Sequence, residues 1–197
     1  TSPIFNISYT TASSGGNITS DGGANVVSRG LCWNTTASPT IDNYKTIESG
    51  ELGLFTTQMT QLNPNTLYYV RAYAINSSGI GYGDQLSFST TPAAIPILTT
   101  SPVTTISQTT AVTGGNITAE NGGTITAKGV CWSTNQNPTN TDSKTLDGTG
   151  IGLFTSSITG LISGTVYYVR AYATNSAGTA YGTQVSFTTL GIPTITT

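Results

Sequence analysis

The chain of 197 residues has no histidine, one methionine and two cysteines. Six Lys and Arg and eight Asp and Glu leave 7% of residues charged, with a net charge of -2. Each scarcity removes a class of function. Without histidine there is no imidazole to serve as a general base or to ligate a metal. Six cations cannot form a stripe that neutralises a phosphate backbone, so nucleic acid is not an expected partner. No run reaches the roughly 18 apolar residues of a membrane-spanning helix, so no membrane insertion is expected in this segment. Carboxylates are sparse as well. A glycosidase needs two acids facing across a cleft, and a Ca²⁺ site needs about six to eight oxygens. Asp42, Glu48 and Glu51, and later Asp142 and Asp147, sit in turn-rich stretches with neither spacing. No catalytic residue, metal or cofactor is expected, and the chain reads as no enzyme.

What is present is Thr, about a fifth of the chain, and Thr, Ser and Gly together exceed 40%. Hydrophobic residues make up 36%, with ten Tyr, enough for packed cores and unlike the apolar-poor, highly charged composition of disorder. Abundant Thr and Asn with few Lys and Glu suit an exported protein, so an extracellular or cell-surface location is expected. The opening Thr1-Ser2-Pro3 has no initiator Met and no basic leader, as in an excerpt of a longer chain.

Sliding the chain against itself by 99 residues exposes a repeat. Gly15-Gly16-Asn17-Ile18-Thr19 falls on Gly114-Gly115-Asn116-Ile117-Thr118, and Cys32-Trp33 on Cys131-Trp132. Tyr68-Tyr69-Val70-Arg71-Ala72-Tyr73-Ala74 falls on the identical run Tyr167–Ala173. No gap is needed, and nearly half of the overlapped positions are identical. Solenoid units run about 20–50 residues, so this period is a whole domain. The expected layout is domain 1 at 1–92, a short linker at 93–95, domain 2 at 96–190, and the start of a further repeat at 191–197. Pro92 and Pro96 make that linker short and semi-rigid. Ile192-Pro193 echoes Ile95-Pro96, and Thr1-Ser2-Pro3 echoes Thr100-Ser101-Pro102, so both ends look cut from a longer array whose neighbours are further copies.

Each copy reads as all β. Short apolar alternations are broken by Gly, Asn, Pro and Ser clusters. Strands are predicted at 4–9, 12–18, 25–34, 44–47, 54–60, 67–74 and 85–89, with turns at Asp21-Gly22-Gly23 and Asn76-Ser77-Ser78-Gly79. Seven short strands in one copy predict a two-sheet sandwich. In the strand at 67–74, Tyr68, Val70, Ala72 and Ala74 share one face, and Tyr69, Arg71 and Tyr73 the other.

The segment from Leu62 to Asn76, repeated from Leu161 to Asn175, resembles the E–F corner and strand F of fibronectin type III domains. Together with Gly16-Asn17-Ile18-Thr19, Arg29-Gly30-Leu31-Cys32-Trp33 and Tyr68–Ala74, it resembles tandem fibronectin type III-like repeats of Bacteroidetes surface and secreted proteins. The resemblance covers nearly the whole chain. It implies two tandem immunoglobulin-like β-sandwiches, with Leu62 and Leu161 capping the cores and Tyr68 and Tyr167 as tyrosine corners. The family's usual strand-B Trp is replaced by the Gly15-Gly16 region, and Trp33 stands in strand C instead.

Cys32 and Cys131 occupy equivalent places in two separate domains, too far apart for the roughly 7 Å that a disulfide spans, so two free thiols are expected. Trp33 and Trp132 are sugar platforms or core filling; Leu31 and Val27 share the Trp33 face. The best candidate ligand-binding face is Tyr69, Arg71 and Tyr73, with Tyr168, Arg170 and Tyr172, flat amphipathic area for a glycan or another surface protein. The alternative is an Arg lying across its Tyr neighbours to shield the sheet. Lys45 and Lys144 with Asn17 and Asn116 supply the residue types of an isopeptide bond. The leading functional expectation is a structural or adhesive spacer of an exported surface protein. The second is a glycan- or protein-binding module accessory to a secreted hydrolase.

Overall fold

The computed structural model describes residues 1–193 and Ile195. The expected opening of a further repeat falls partly outside them, at Thr194, Thr196 and Thr197. The described residues form strands, bridges and turns and no helix. The chain divides into two compact units, Thr1–Pro92 and Ala93–Thr197. Ala94 and Ile95, expected in a linker, are held by the second unit. Ala94 N–H donates to Asn121 O at 3.0 Å, and the Asn121 amide donates to Ile95 O at 2.8 Å.

In the first unit, β1 (Ala12–Ile18) pairs antiparallel with β5 (Gly53–Met59), Ala12 opposite Met59. The second sheet runs β3 (Tyr44–Lys45), β2 (Ser28–Asn34), β6 (Leu67–Asn76), β7 (Gly79–Tyr82). Also in it, β4 (Glu48–Ser49) pairs β2 and β8 (Leu86–Ser89) pairs β6. The facing sides close one core. Ala12, Phe55 and Met59 of the first sheet meet Leu31, Trp33, Tyr68, Val70, Ala72 and Phe88 of the second. Period-two alternation does this: every second residue of β6 from Tyr68 to Ala72 is buried. Small residues let β1 be buried on both faces. The Phe55 ring covers Gly16, whose absent Cβ would stand 3.0 Å from Cε1.

The second unit repeats this with one addition. Its first sheet is β13 (Gly152–Ile158), β10 (Ala111–Ala119), β9 (Ile97–Thr100). Its second is β12 (Ser143–Lys144), β11 (Ala127–Ser133), β14 (Val166–Asn175), β15 (Gly178–Tyr181), with β16 (Val185–Thr188) also on β14. Ala111, Val130, Ile158, Val169 and Phe187 form the main core.

The corner residues behave as the resemblance implies. Leu62 and Leu161 are buried. The Asn63 N–H donates to Tyr68 Oη at 3.0 Å, and the Ile162 N–H to Tyr167 Oη at 3.1 Å. Each Tyr body stacks on its cross-strand Phe, with centroids 5.8 Å apart in both units. A buried phenol thus keeps a polar partner. The fold is all-β, two fibronectin type III-like sandwiches in tandem.

Several strand boundaries differ from expectation. Residues 4–9 form no strand; Phe5 makes a single bridge to Ser13. The strand at 25–34 starts at Ser28, and Val27, expected on the Trp33 face, is 65% exposed just before it. The strand expected at 44–47 is only β3 at Tyr44–Lys45, and a second short piece, β4, follows it at Glu48–Ser49. The hairpin partner β7 was not predicted: Gly79-Ile80-Gly81-Tyr82 alternates, but it is only four residues long, half of them glycine, directly after the turn. The predicted turn before it is present: Asn76 Oδ1 accepts from Ser78 N–H at 2.8 Å, and Gly79 sits at φ 146.

Candidate functional site

The predicted Tyr–Arg–Tyr row lies on the outer face of the larger sheet. Register places Gly30 opposite Tyr73, Cys32 opposite Arg71, and Tyr73 opposite Tyr82. The same pairs recur as Gly129 with Tyr172, Cys131 with Arg170, and Tyr172 with Tyr181. This face is not open. The segment from Thr35 to Thr46 folds back across it. Tyr73 Oη donates to Thr46 O at 2.6 Å, and the Ile41 N–H donates to Tyr82 Oη at 3.1 Å. Pro39 is fully buried, and Cys32 Sγ contacts its carbonyl at 3.5 Å. The second unit matches: Tyr172 Oη donates to Thr145 O at 2.6 Å, and Cys131 Sγ lies 3.4 Å from Pro138 O.

Exposure for Tyr73 and Tyr172 is therefore corrected. They are 3% and 1% exposed, the bases of a second small core on the far side of the sheet. Alternation placed them correctly opposite Val70 and Val169; the covering segment removes them from solvent. Arg71 and Arg170 are half-buried and internally partnered. Arg71 Nε donates to Gly83 O at 3.2 Å, and its guanidinium lies 4.4 Å from the Tyr82 ring centroid. Arg170 Nε donates to Gly182 O at 3.0 Å, over Tyr181 at 4.6 Å. The shielding cation–π contact exists, but its ring comes from the next strand, not from Tyr69 or Tyr73. Tyr69 and Tyr168 are half-buried and keep partial access to solvent.

Sequence reasoning missed the covering segment and its Tyr82 or Tyr181 anchor. A signal was present: Gly30, Pro39, Thr46 and Tyr82 each recur 99 residues later. Gly30 is needed because a Cβ there would stand 2.2 Å from Thr46 O.

Both thiols are buried and free. Burial pushes Cys32 up, against the pull of the Arg71 charge, and pushes Cys131 up to about 11 against Arg170. Burial likewise raises the phenols of Tyr73 and Tyr172. A neutral thiol with no imidazole nearby is a poor nucleophile. A thiol reagent at pH 8 should therefore titrate almost nothing in the native chain and two thiols in denaturant; two fast-reacting native thiols would contradict this burial. Linkage gives a pH effect too. Unfolded Cys131 loses its proton near 9.0 and the folded one near 11. Its contribution to stability is thus complete below pH 9 and is lost as pH rises toward 11. The urea midpoint of the second unit should drop across that window, less steeply in Cys131→Ala.

Trp33 is 5% exposed within the main core and stacks on Tyr44 at 6.2 Å. Ser143 takes the place of Tyr44 in the second unit, and Trp132 there is half-buried against the core. Both fill core space. Lys45 and Lys144 are exposed and donate to the carbonyls of Ile41 and Asn140, away from any buried amide crosslink. Among the described residues no three acids or cysteines gather as a metal site.

No protein-family model matches the chain, and no curated protein matches it. Among solved structures it is similar to the chicken CNTN1 FN1–FN3 domains, at 15% identity and a TM-score of 0.44. That match covers 96% of this chain and 66% of the other. The fibronectin type III-like fold of the two units stands on their sheet order and corner tyrosines.

Proposed function

We propose that the chain is a non-enzymatic structural repeat of an exported bacterial surface protein, of the kind seen in Bacteroidetes. It serves as a spacer that holds a distal adhesive or catalytic domain away from the cell. One observation supports this reading above the others. The polar groups of the Tyr–Arg–Tyr row are used inside their own unit: Tyr73 Oη on Thr46 O, and Arg71 on Gly83 O and the Tyr82 ring. A binding hot spot needs donors and aromatic area free to meet a partner, and here both are already engaged.

Tyr69 and Tyr168 are the accessible members of the row, so they carry the test. Wild type and the double variant Tyr69→Ala/Tyr168→Ala are screened on a glycan array and on whole cells. The spacer reading expects no saturable binding by either. Saturable wild-type binding that the double variant loses would replace it with a glycan- or protein-binding module.

A further inference from the structure

The turn between β10 and β11 carries chemistry that its counterpart in the first unit lacks. Asn121-Gly122 stands where the first unit has Gly22-Gly23, and no other asparagine of the chain precedes a glycine. Asn121 sits at φ 49 and Gly122 at φ 84, and the Gly123 N–H closes the turn on Glu120 O at 3.2 Å. Two successive positive φ values make the mirror-image turn in which asparagine followed by glycine costs least.

Asn121 also holds the segment that leads into β9. Its Nδ2 donates to Ile95 O at 2.8 Å, and its main-chain carbonyl accepts from the Ala94 N–H at 3.0 Å. Asn175 works beside it, with Nδ2 donating to Ala94 O and to Glu120 O, both at 2.8 Å. The two amides differ in their surroundings. Asn175 is 5% exposed, and its Oδ1 accepts from the N–H groups of Ala177 and Gly178 at 2.9 and 3.2 Å. Asn121 is half-buried and open to water, and it is followed by a residue with no side chain to crowd an approach to its amide carbon. Among the described residues the Gly122 N–H donates to no acceptor.

We propose that Asn121 is a site of spontaneous deamidation and that the reaction releases the segment before β9 from its unit. The Gly122 nitrogen gives its proton to solvent base and bonds to Asn121 Cγ. The Cγ–Nδ2 bond breaks, ammonia leaves, and a five-membered cyclic imide remains. Water adds to either imide carbonyl and opens the ring to aspartate or isoaspartate. Only water is consumed, and no oxidant or reductant takes part. The product carboxylate accepts hydrogen bonds but cannot donate, so the contact with Ile95 O turns from attractive to repulsive. Isoaspartate also adds a carbon to the main chain of the turn. The first unit, with Gly22 in this place, has no amide to lose there. The modification is independent of whether the chain acts as a spacer.

The intact, folded chain is held at neutral and at mildly alkaline pH, and its peptides are mapped by mass spectrometry over time. Conversion with release of ammonia should appear at Asn121, faster at the higher pH, while Asn76 and Asn175 stay unchanged. Asn121→Gly, which copies the first unit, should release none of that ammonia. Hydrogen exchange then reads the release. In Asn121→Asp and in the aged chain, the Ala94 N–H should exchange about fivefold faster than in fresh wild type, as for the loss of one ordinary hydrogen bond. Conversion confined to the urea-unfolded chain would show that the fold protects Asn121 and would overturn the site. Equal conversion at Asn76 or Asn175 would overturn the role given to Gly122. Conversion at Asn121 with unaltered exchange at Ala94 would overturn the release.

Discussion

Tyr73→Ala and Tyr172→Ala should each destabilise their own unit by about 4 kcal/mol, the usual range for removing a large buried aromatic. Each ring is almost fully buried, and each hydroxyl donates to a carbonyl of the covering segment. Truncation leaves a cavity between sheet and cover and strands the Thr46 or Thr145 carbonyl. Urea unfolding followed unit by unit is the measurement, since a two-domain chain does not give one two-state curve. Tyr73→Phe separates the contributions. It keeps the ring and loses the hydrogen bond, so it should cost only about 1–2 kcal/mol. If both alanine variants kept wild-type midpoints, the rings would not be structural and the row would return as a candidate binding face.

The second large effect belongs to Gly30 and Gly129. A Cβ at Gly30 would lie 2.2 Å from Thr46 O, and at Gly129 2.3 Å from Thr145 O. Those oxygens are the acceptors of the Tyr73 and Tyr172 hydroxyls. Backbone cannot yield as a flexible side chain does, so the cover must lift or the strand must shift. Gly30→Ala and Gly129→Ala should cost roughly 3 kcal/mol or more through this strain and the lost hydrogen bond. Gly81→Ala is the control. Its Cβ would meet nothing within 4 Å, and the second unit already carries Ala180 there. It should be close to neutral; equal losses at Gly30 and Gly81 would point to strand propensity instead of the close approach at Thr46.

How far the fold could be read from sequence depended on what shapes each strand. The 99-residue repeat and the alternation of β6 are direct consequences of burying one sheet face, and they were legible. Phe5 and Ile7 imitate that alternation, yet they are 45% and 38% exposed along a stretch with a single bridge. Val27 failed for a related reason: alternation holds only inside a strand, and β2 begins one residue later. The outer face of β6 was harder to read. Alternation says which side of a sheet a residue takes, not whether another segment covers that side. The cover from Thr35 to Thr46 is mostly irregular backbone held by single hydrogen bonds, so it carries no period to detect. Tyr73 was therefore placed on the right face and given the wrong environment.

The identity of β6 and β14 bears on how the chain folds. Both carry Tyr-Tyr-Val-Arg-Ala-Tyr-Ala, and β2 meets the first as β11 meets the second. Side chains on β6 and β14 give β2 little basis for choosing between them during folding. Distance along the chain is what separates the choices, since Asn34 is about four times farther from Val166 than from Leu67. Each doubling of a loop costs about 0.6 kcal/mol of closure entropy, so the correct pairing is favoured by about 1.2 kcal/mol, roughly eightfold. That margin leaves on the order of a tenth of first encounters crossed between copies, a kinetic trap characteristic of tandem domains with like sequences.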